Sequence, residues 1–486
     1  METFGSIQHQ RPHRCNGRAR SAKSRAESVR CVPISAGNKI ATRMFQSTVS
    51  DLSGRRRWVW VGISTLVFLS GTIAMIPHGS LHARWNVPPF LAGAVLMLIG
   101  FYLALLLKCV PLLIIASAAV GARVLLLWQA PGDDIYRYIW EGRLLLQNVN
   151  PYLHPPDATG LVSFRDAIWD SVQHKTFPAI YPPLAECSFA TLAVVFPSVF
   201  FFKIVFATAD LLTGALLWVR YGGQAALFYL WNPLVVYAFA GGGHYDSLFI
   251  LTLALGWLAW EKGKATESIL WIGAAVAFKW MALPILAWAV LRSLRDFGLR
   301  SAMINGAAGV APLLISWTFV GLWTGEWTWR LYPEKFTEYA RSAELIPGIV
   351  GWLWEGSRYQ NGWFLAPVVT GWAVVILKAR RFATSAEWFL FVALIFSPLV
   401  HAWYFAWLMP FAVASRNLGS LLLTASGFVY FTVYHRLNAE PDLGWMFTPA
   451  EIALLWAPFV FGFLWTYARP LKMRLPECDD RRVRPV

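Results

Sequence analysis

Polar and apolar positions along this chain alternate in long blocks, not at the period of a soluble amphipathic helix or strand. After a polar start, runs approaching roughly 18–20 apolar residues recur, and such a run crosses a hydrocarbon core as one helix. They fall at 58–76, 88–107 and 110–127, then at 184–196, 199–218, 225–239, 248–260, 269–291 and 302–323. The last group lies at 363–377, 388–400, 403–414, 418–434 and 449–467. Two amphiphilic stretches, 128–183 and 324–362, interrupt the series. The pattern predicts an all-α polytopic membrane protein, a bundle of about 12–14 transmembrane helices with a large first external loop.

Composition agrees. Of 486 residues, 57% are apolar and only 14% are charged, against about 25% charged in a soluble protein. Too little polar surface exists to coat a water-soluble body, so a soluble enzyme, a disordered chain and a collagen-like chain are excluded. The net charge of +15 sits mostly at the ends. Residues 1–57 hold twelve Lys/Arg against Glu2, Glu27 and Asp51, and 469–486 hold six against three acids. Both tails read as basic cytoplasmic segments, the first one disordered, flanking a membrane domain at 58–468. Neither tail interleaves aromatics with its basic residues on a folded face, so no nucleic-acid partner is predicted. No apolar core follows the basic start as a signal peptide would require, and Met44 is an alternative start. Cys15, Cys31, Cys109, Cys187 and Cys478 are scattered without CxxC spacing, which gives no zinc site.

With both termini cytoplasmic, the first three runs carry 128–183 outside the cell membrane. The middle allows two topologies. If every later run crosses once, Lys262 and Lys264 fall outside and Gly241–Asp246 inside. If 184–196 is a short re-entrant or surface helix and 269–291 breaks near Lys279, the basic loops at Arg220, Lys262, Lys264 and Arg292–Arg295 all stay inside. The second arrangement follows the positive-inside bias and is preferred. It puts His244, Asp246 and Lys279 beside the first external loop.

That loop opens with Gly132-Asp133-Asp134-Ile135-Tyr136-Arg137-Tyr138-Ile139-Trp140-Glu141-Gly142. The acids suit the first turn of a helix; Asp134, Tyr138 and Glu141 share a face, and Asp133 and Arg137 can pair at i, i+4. A carboxylate at the membrane boundary, beside Arg and aromatics, could serve as a general base on a sugar hydroxyl. A charge cap with an interfacial aromatic belt would show the same residues. The pair could also hold a divalent cation. Asn150-Pro151-Tyr152, Pro155-Pro156-Asp157 and Tyr181-Pro182-Pro183-Leu184 read first as loop punctuation.

As an ordered set, these elements resemble the GT-C glycosyltransferases, and most closely the bacterial mannosyltransferases that use polyprenyl-phosphate mannose. The shared pattern is Asp-x-Tyr-Arg-Tyr-x-Trp-Glu-Gly at 134–142, Asn150-Pro151-Tyr152, Trp231-Asn232-Pro233-Leu234 and Gly243-His244-Tyr245-Asp246. Tyr245 stands where that branch usually has Asn. The resemblance implies transfer of a sugar, mannose by analogy, from a polyprenyl-phosphate carrier to an extracytoplasmic glycan or lipid acceptor, by inverting attack. Asp134 or Asp133 is then the base. Lys279, His401 and Arg137 surround the phosphate, and Tyr138, Glu141, His244, Asp246 and Tyr404 complete the substrate site. Lys279, within the apolar Phe278-Lys279-Trp280, needs a partner, water or a function, unless it snorkels. His401 follows Pro398, where a broken helix would expose His401, Trp403 and Tyr404.

The second external stretch mixes Glu326, Arg330, Glu334, Lys335, Glu338, Arg341 and Glu344 with Trp327, Trp329, Tyr332 and Tyr339. Aromatics that pack on sugar faces beside polar side chains that bond hydroxyls could form an acceptor site, but a helix on the membrane surface accounts for most of these residues. Walker, Gly-x-Ser-x-Gly, His-Glu-x-x-His and Asp-x-Asp patterns are absent, so an ATPase, a serine hydrolase, a zincin and a nucleotide-sugar enzyme lack local support. The alternative class is a polytopic transporter or lipid-linked-sugar flippase. Such proteins gather ionisable groups at the midplane, whereas the polar groups here collect in external loops.

Overall fold

The computed structural model describes residues 54–107, 109–329, 338, 340–439 and 445–468. Both basic tails outside that range, with Met44, Cys15, Cys31 and Cys478, lie beyond the described residues, as do Arg330, Tyr332, Glu334, Lys335 and Tyr339. Among the described residues all regular elements are helical, apart from an isolated bridge between Ser342 and Leu399. Six helices are long and apolar enough to cross a membrane. Shorter apolar helices, several broken by proline, glycine or a buried charge, fill out an all-α polytopic membrane protein.

Helices α1 (Gly54–Met75) and α2 (Val87–Leu106) form a close hairpin. A Cβ at Gly71 would lie 2.5 Å from the Met97 amide nitrogen, and one at Gly100 2.5 Å from that of Phe68. Only glycine admits this approach. Helix α3 (Leu112–Leu126) then leads to α4 (Asp134–Leu146), the helix that opens the first long loop.

The length and placement of the next helix decide between the two topologies. Helix α5 (Pro183–Val195) has 13 residues, about 20 Å of rise, too short for a hydrocarbon core. It runs along α4, where a Cβ on Gly142 would strike the Phe189 backbone at 2.5 Å. Helix α6 (Val199–Tyr221) starts near the level where α3 ends, since Lys203 Nζ reaches the Leu126, Leu127 and Gln129 carbonyls at 2.7, 3.1 and 2.8 Å. Helix α5 therefore begins and ends at the same end of the bundle, as the re-entrant arrangement requires.

Helix α7 (Gly223–Leu230) returns through a break at Asn232, whose side chain caps α8 (Pro233–Val236) by accepting from the Leu234 and Val235 amides. A π turn, Tyr237–Gly241, reaches the glycine run. Helices α9 (Asp246–Glu261) and α10 (Ala265–Phe278) come next, and the chain then breaks at Lys279 in extended backbone before α11 (Leu283–Phe297). Beyond α12 (Leu299–Thr324), a short amphiphilic helix α13 (Ile346–Leu353) exposes Ile349, Trp352 and Leu353, as expected of a surface helix. Helices α14 (Leu365–Lys378) and α15 (Phe382–Phe396), the 3-10 turn Ala402–Leu408 with α16 (Met409–Ser415), α17 (Leu418–Ser426), α18 (Thr432–Ala439) and α19 (Pro449–Ala468) complete the bundle.

Its two ends differ in charge. At one, Arg220 pairs with Glu261 at 2.6 Å beside Lys262 and Lys264, and Arg292 donates to the Arg380 carbonyl next to Lys378 and Arg381. The acidic helix α4, the glycine run and Lys279 meet at the other. Between them Arg123 and Asp210 form an interior ion pair at 2.6 Å, and Arg123 also donates to the Ala119 and Leu230 carbonyls. Each lies inside an apolar run, where the sequence shows a lone charge but not its partner 87 residues away. Both are nearly inaccessible, so each makes the other tolerable in an apolar interior.

Candidate functional site

The site is assembled where α3 ends. Lys203 binds the last carbonyl of α3 and those of Leu127 and Gln129 just past it, and Gln129 Nε2 donates to the Met75 carbonyl at 3.2 Å. Three residues further on, the Gly132 amide donates to the Gly242 carbonyl at 2.9 Å, tying the acidic turn to the glycine run. Gly243 has φ +74°, a left-handed conformation that disfavours side chains, and a Cβ there would also strike Ile135. The Gly-rich sequence thus holds His244 against the start of α4.

Asp134 and His244 then face one another, with His244 Nδ1 3.5 Å from Asp134 Oδ2. Tyr138, one turn along α4, brings its hydroxyl to the same oxygen at 3.5 Å. Both contacts are long, and the Asp134 side chain stays 33% exposed. Behind it the His244 ring stacks on Trp403 with centroids 3.7 Å apart, and Trp403 stacks in turn on His401, at 4.4 Å and 3°. His401 Nδ1 meets the Tyr430 hydroxyl at 2.7 Å. The local break after Pro398 places His401 just ahead of the 3-10 turn and Trp403 in its first residues.

Lys279 sits in a second, tighter group. Its ammonium binds Asp246 Oδ1 at 2.6 Å, and the same oxygen accepts from Trp407 Nε1 at 2.7 Å. Tyr404, Trp407 and Tyr245 surround the cation with centroids 4.6, 4.8 and 5.3 Å away. The Tyr245 hydroxyl is spent on the Phe278 carbonyl at 3.0 Å, so it supplies packing where the related branch has an amide. Snorkelling is not the explanation of Lys279: it is a compensated ion in an aromatic box, 15% exposed. Asp246 is its counter-ion, with 1% of its side chain exposed.

Arg137 differs from the expectation. It pairs with Glu141 at 2.7 Å, not with Asp133, and its two terminal nitrogens donate to the carbonyls of Gln173, His174, Phe177 and Pro178. A guanidinium has five N–H donors, and this one has all five engaged. Arg137 and Glu141 pin the first loop onto α4, and no donor is left to bind a phosphate. The proline motifs do the loop work expected of them: Asn150 Nδ2 donates to the Glu326 carbonyl at 3.0 Å, and the Tyr152 hydroxyl to that of Tyr181 at 2.6 Å. Glu326 contacts His154 at 3.1 Å, and Arg341 pairs with Glu344 at 2.8 Å. Asn150, His154 and Glu326 join the two amphiphilic stretches, and Arg341–Glu344 lies within the second.

Electrostatically the acidic pair is split. Burial and the neighbouring Asp134 charge raise the Asp133 pKa. Burial also disfavours the Asp134 anion, yet the His244 contact and charge, with His401 and Lys279 behind it, hold this carboxyl below its usual range. Asp134 is thus the more acidic member of the pair, and it is accessible and loosely held, so its oxygens are free to meet a substrate hydroxyl. His401 is pushed down to about 4 by burial, so it is neutral near pH 7. No group of three or more His, Cys, Asp or Glu gathers as a metal site among the described residues. Sequence reading missed Trp407, Tyr430 and Lys203; the i, i+4 spacing of Trp403 and Trp407 was the one local hint.

Comparison with known proteins adds a likeness to mannosyltransferases. The sequence profile described as "Alpha-(1->6)-mannopyranosyltransferase, N-terminal domain" matches residues 72–295. The chain is 23% identical over 447 residues to alpha-(1->6)-mannopyranosyltransferase A of Mycobacterium tuberculosis (strain ATCC 25618 / H37Rv), covering 77% of this chain and 82% of that one. No solved structure matches. The profile covers the acidic helix, the glycine run and Lys279, while His401, Trp403, Trp407 and Tyr430 lie beyond it.

Proposed function

We propose that the chain is a membrane mannosyltransferase of GT-C type that moves mannose from a polyprenyl-phosphate carrier to an extracytoplasmic glycan or glycolipid, with an α-(1→6) linkage by analogy with the relative's name. The basic end of the bundle faces the cytoplasm by the positive-inside bias, which keeps both termini inside and opens the Asp134 end to the outer face. In this reading the acceptor hydroxyl gives its proton to Asp134 as its oxygen attacks the anomeric carbon. The carrier phosphate departs from the opposite side with the bonding electrons, inverting the centre. Its growing charge meets the His401 edge and the Lys279 ammonium. Phosphate is already a leaving group, so the residues mainly supply a base and stabilise the departing anion.

The observation that carries this reading is the convergence of Asp134, His244, His401 and Lys279, from four separate segments, at the end of the bundle away from the basic turns. Membranes containing the chain, incubated with radiolabelled polyprenyl-phosphate mannose, should transfer label to a glycan or lipid product. Movement of the carrier across the membrane without transfer would favour a flippase instead.

A further inference from the structure

Tyr138 on α4, Phe189 on α5, Tyr181 just before α5 and Tyr245 just before α9 bring four aromatic rings together beside the site. Each ring touches the other three, at centroid separations from 4.7 to 5.7 Å. All of these contacts except the stacked Tyr138–Phe189 pair are edge-to-face, a geometry that aromatic rings favour.

Three of the rings carry a hydroxyl, and the three differ in what they bind. That of Tyr138 turns to Asp134 Oδ2 at 3.5 Å, and that of Tyr245 donates to the Phe278 carbonyl at 3.0 Å. The Tyr181 hydroxyl has no protein partner among the described residues, although the residue is only 7% exposed, and its oxygen stays accessible. A polar group this enclosed is normally hydrogen-bonded. Phenylalanine would fill the same place in the cluster with no hydroxyl to satisfy.

The main chain fixes where this hydroxyl stands. The Tyr181 carbonyl accepts from the Tyr152 hydroxyl at 2.6 Å, and the Ala179 amide donates to the Pro151 carbonyl at 2.9 Å. Just upstream, Arg137 holds the carbonyls of residues 173–178. Just downstream, Pro182 is extended and Pro183 starts α5, which Gly142 lets close onto α4 at Phe189. Backbone and ring are both committed; the hydroxyl is not.

Tyr181 also joins the two halves of the site. Its ring lies 5.2 Å from that of Tyr138, whose hydroxyl serves Asp134, and 5.2 Å from that of Tyr245, which flanks the Lys279 ammonium at 5.3 Å. A sugar attacked from the Asp134 side, with its phosphate leaving toward Lys279, spans these two groups. We propose that the Tyr181 hydroxyl binds a ring hydroxyl of the transferred sugar and is a specificity-determining residue, delivered by the Tyr-Pro-Pro turn and α5. The assignment rests on the reading of Asp134 and Lys279 given above. A site built to hydrogen-bond a substrate hydroxyl rejects an analogue that lacks it.

The test uses the full chain in membranes, with polyprenyl-phosphate mannose and its monodeoxy analogues as donors. Tyr181→Phe should keep the wild-type melting temperature and lower kcat/KM for the mannose donor about tenfold, the worth of one hydrogen bond. One deoxy analogue should lose a similar factor with the wild type and nothing further with Tyr181→Phe, which identifies the hydroxyl that is bound. Wild-type kcat/KM in Tyr181→Phe, or an undiminished loss on every analogue, would overturn the assignment. Should Tyr181→Phe fold poorly, the wild type alone decides: equal kcat/KM for mannose and all its deoxy analogues would also overturn it. No transfer from the mannose donor by the wild type would instead overturn the reading of the whole site, and this assignment with it.

Discussion

Asp134 and Glu141 stand two turns apart on α4, and both face a basic group. Glu141 binds Arg137 at 2.7 Å, with side chains 2% and 6% exposed. Asp134 lies 3.5 Å from His244 and keeps a third of its surface open. The same helix thus carries one carboxylate whose partner is saturated and one whose contacts are loose. Buried polar groups in a stable fold are normally satisfied, so the loose carboxylate is where a substrate hydroxyl has room to bind. Lys279 and Asp246 fall between these cases: they are paired, with Lys279 15% and Asp246 1% exposed.

The largest effect is expected where saturation is complete. Arg137→Met would strand Glu141 and four carbonyls, and breaking a buried ion pair costs about 3–5 kcal/mol. Thermal unfolding in detergent should show that loss, with the variant poorly expressed. An Arg137→Met protein as stable as wild type would mean that the loop is held by other contacts. Lys279→Met should cost somewhat less, about 3 kcal/mol, because Trp407 still serves Asp246. Adding Asp246→Asn should recover much of the stability and little of the transfer. Recovery of both would assign Lys279 to structure and remove it from the phosphate.

A smaller effect sharpens the other side of the comparison. Burial alone would raise the Asp134 pKa, and the His244 contact and charge lead the effects that bring it below the usual range. A base works ionised, so activity falls as pH drops through that value. His244→Gln should therefore move the acid limb of the pH–rate profile to higher pH, with less change near neutrality. An unmoved acid limb would separate His244 from Asp134.

Much of this is legible in the residue pattern. Long apolar runs establish the class, and the positive-inside bias favours the arrangement in which α5 stays at one end and the chain breaks at Lys279. The acidic turn, His244, Lys279 and His401 stand out as a site because ionisable groups beside apolar runs demand a reason. Pairings are harder to read. Spacing allows Arg137 either Asp133 or Glu141, four residues to each side; the fold selects Glu141 and adds carbonyls of residues 173–178, which no helical periodicity reveals. The counter-ion of Lys279 is 33 residues away, and Tyr430 reaches His401 from a different helical segment. Arg123 and Asp210 hide for the same reason: each looks like a lone charge until the fold joins them.

The central claim is that the loose carboxylate, not the one locked to Arg137, performs the chemistry. Asp134→Asn keeps the shape of the side chain and removes its basicity. Transfer from labelled polyprenyl-phosphate mannose should fall at least about a hundredfold, as for loss of a general base, while the melting temperature stays at the wild-type value. Wild-type transfer by Asp134→Asn would contradict the account.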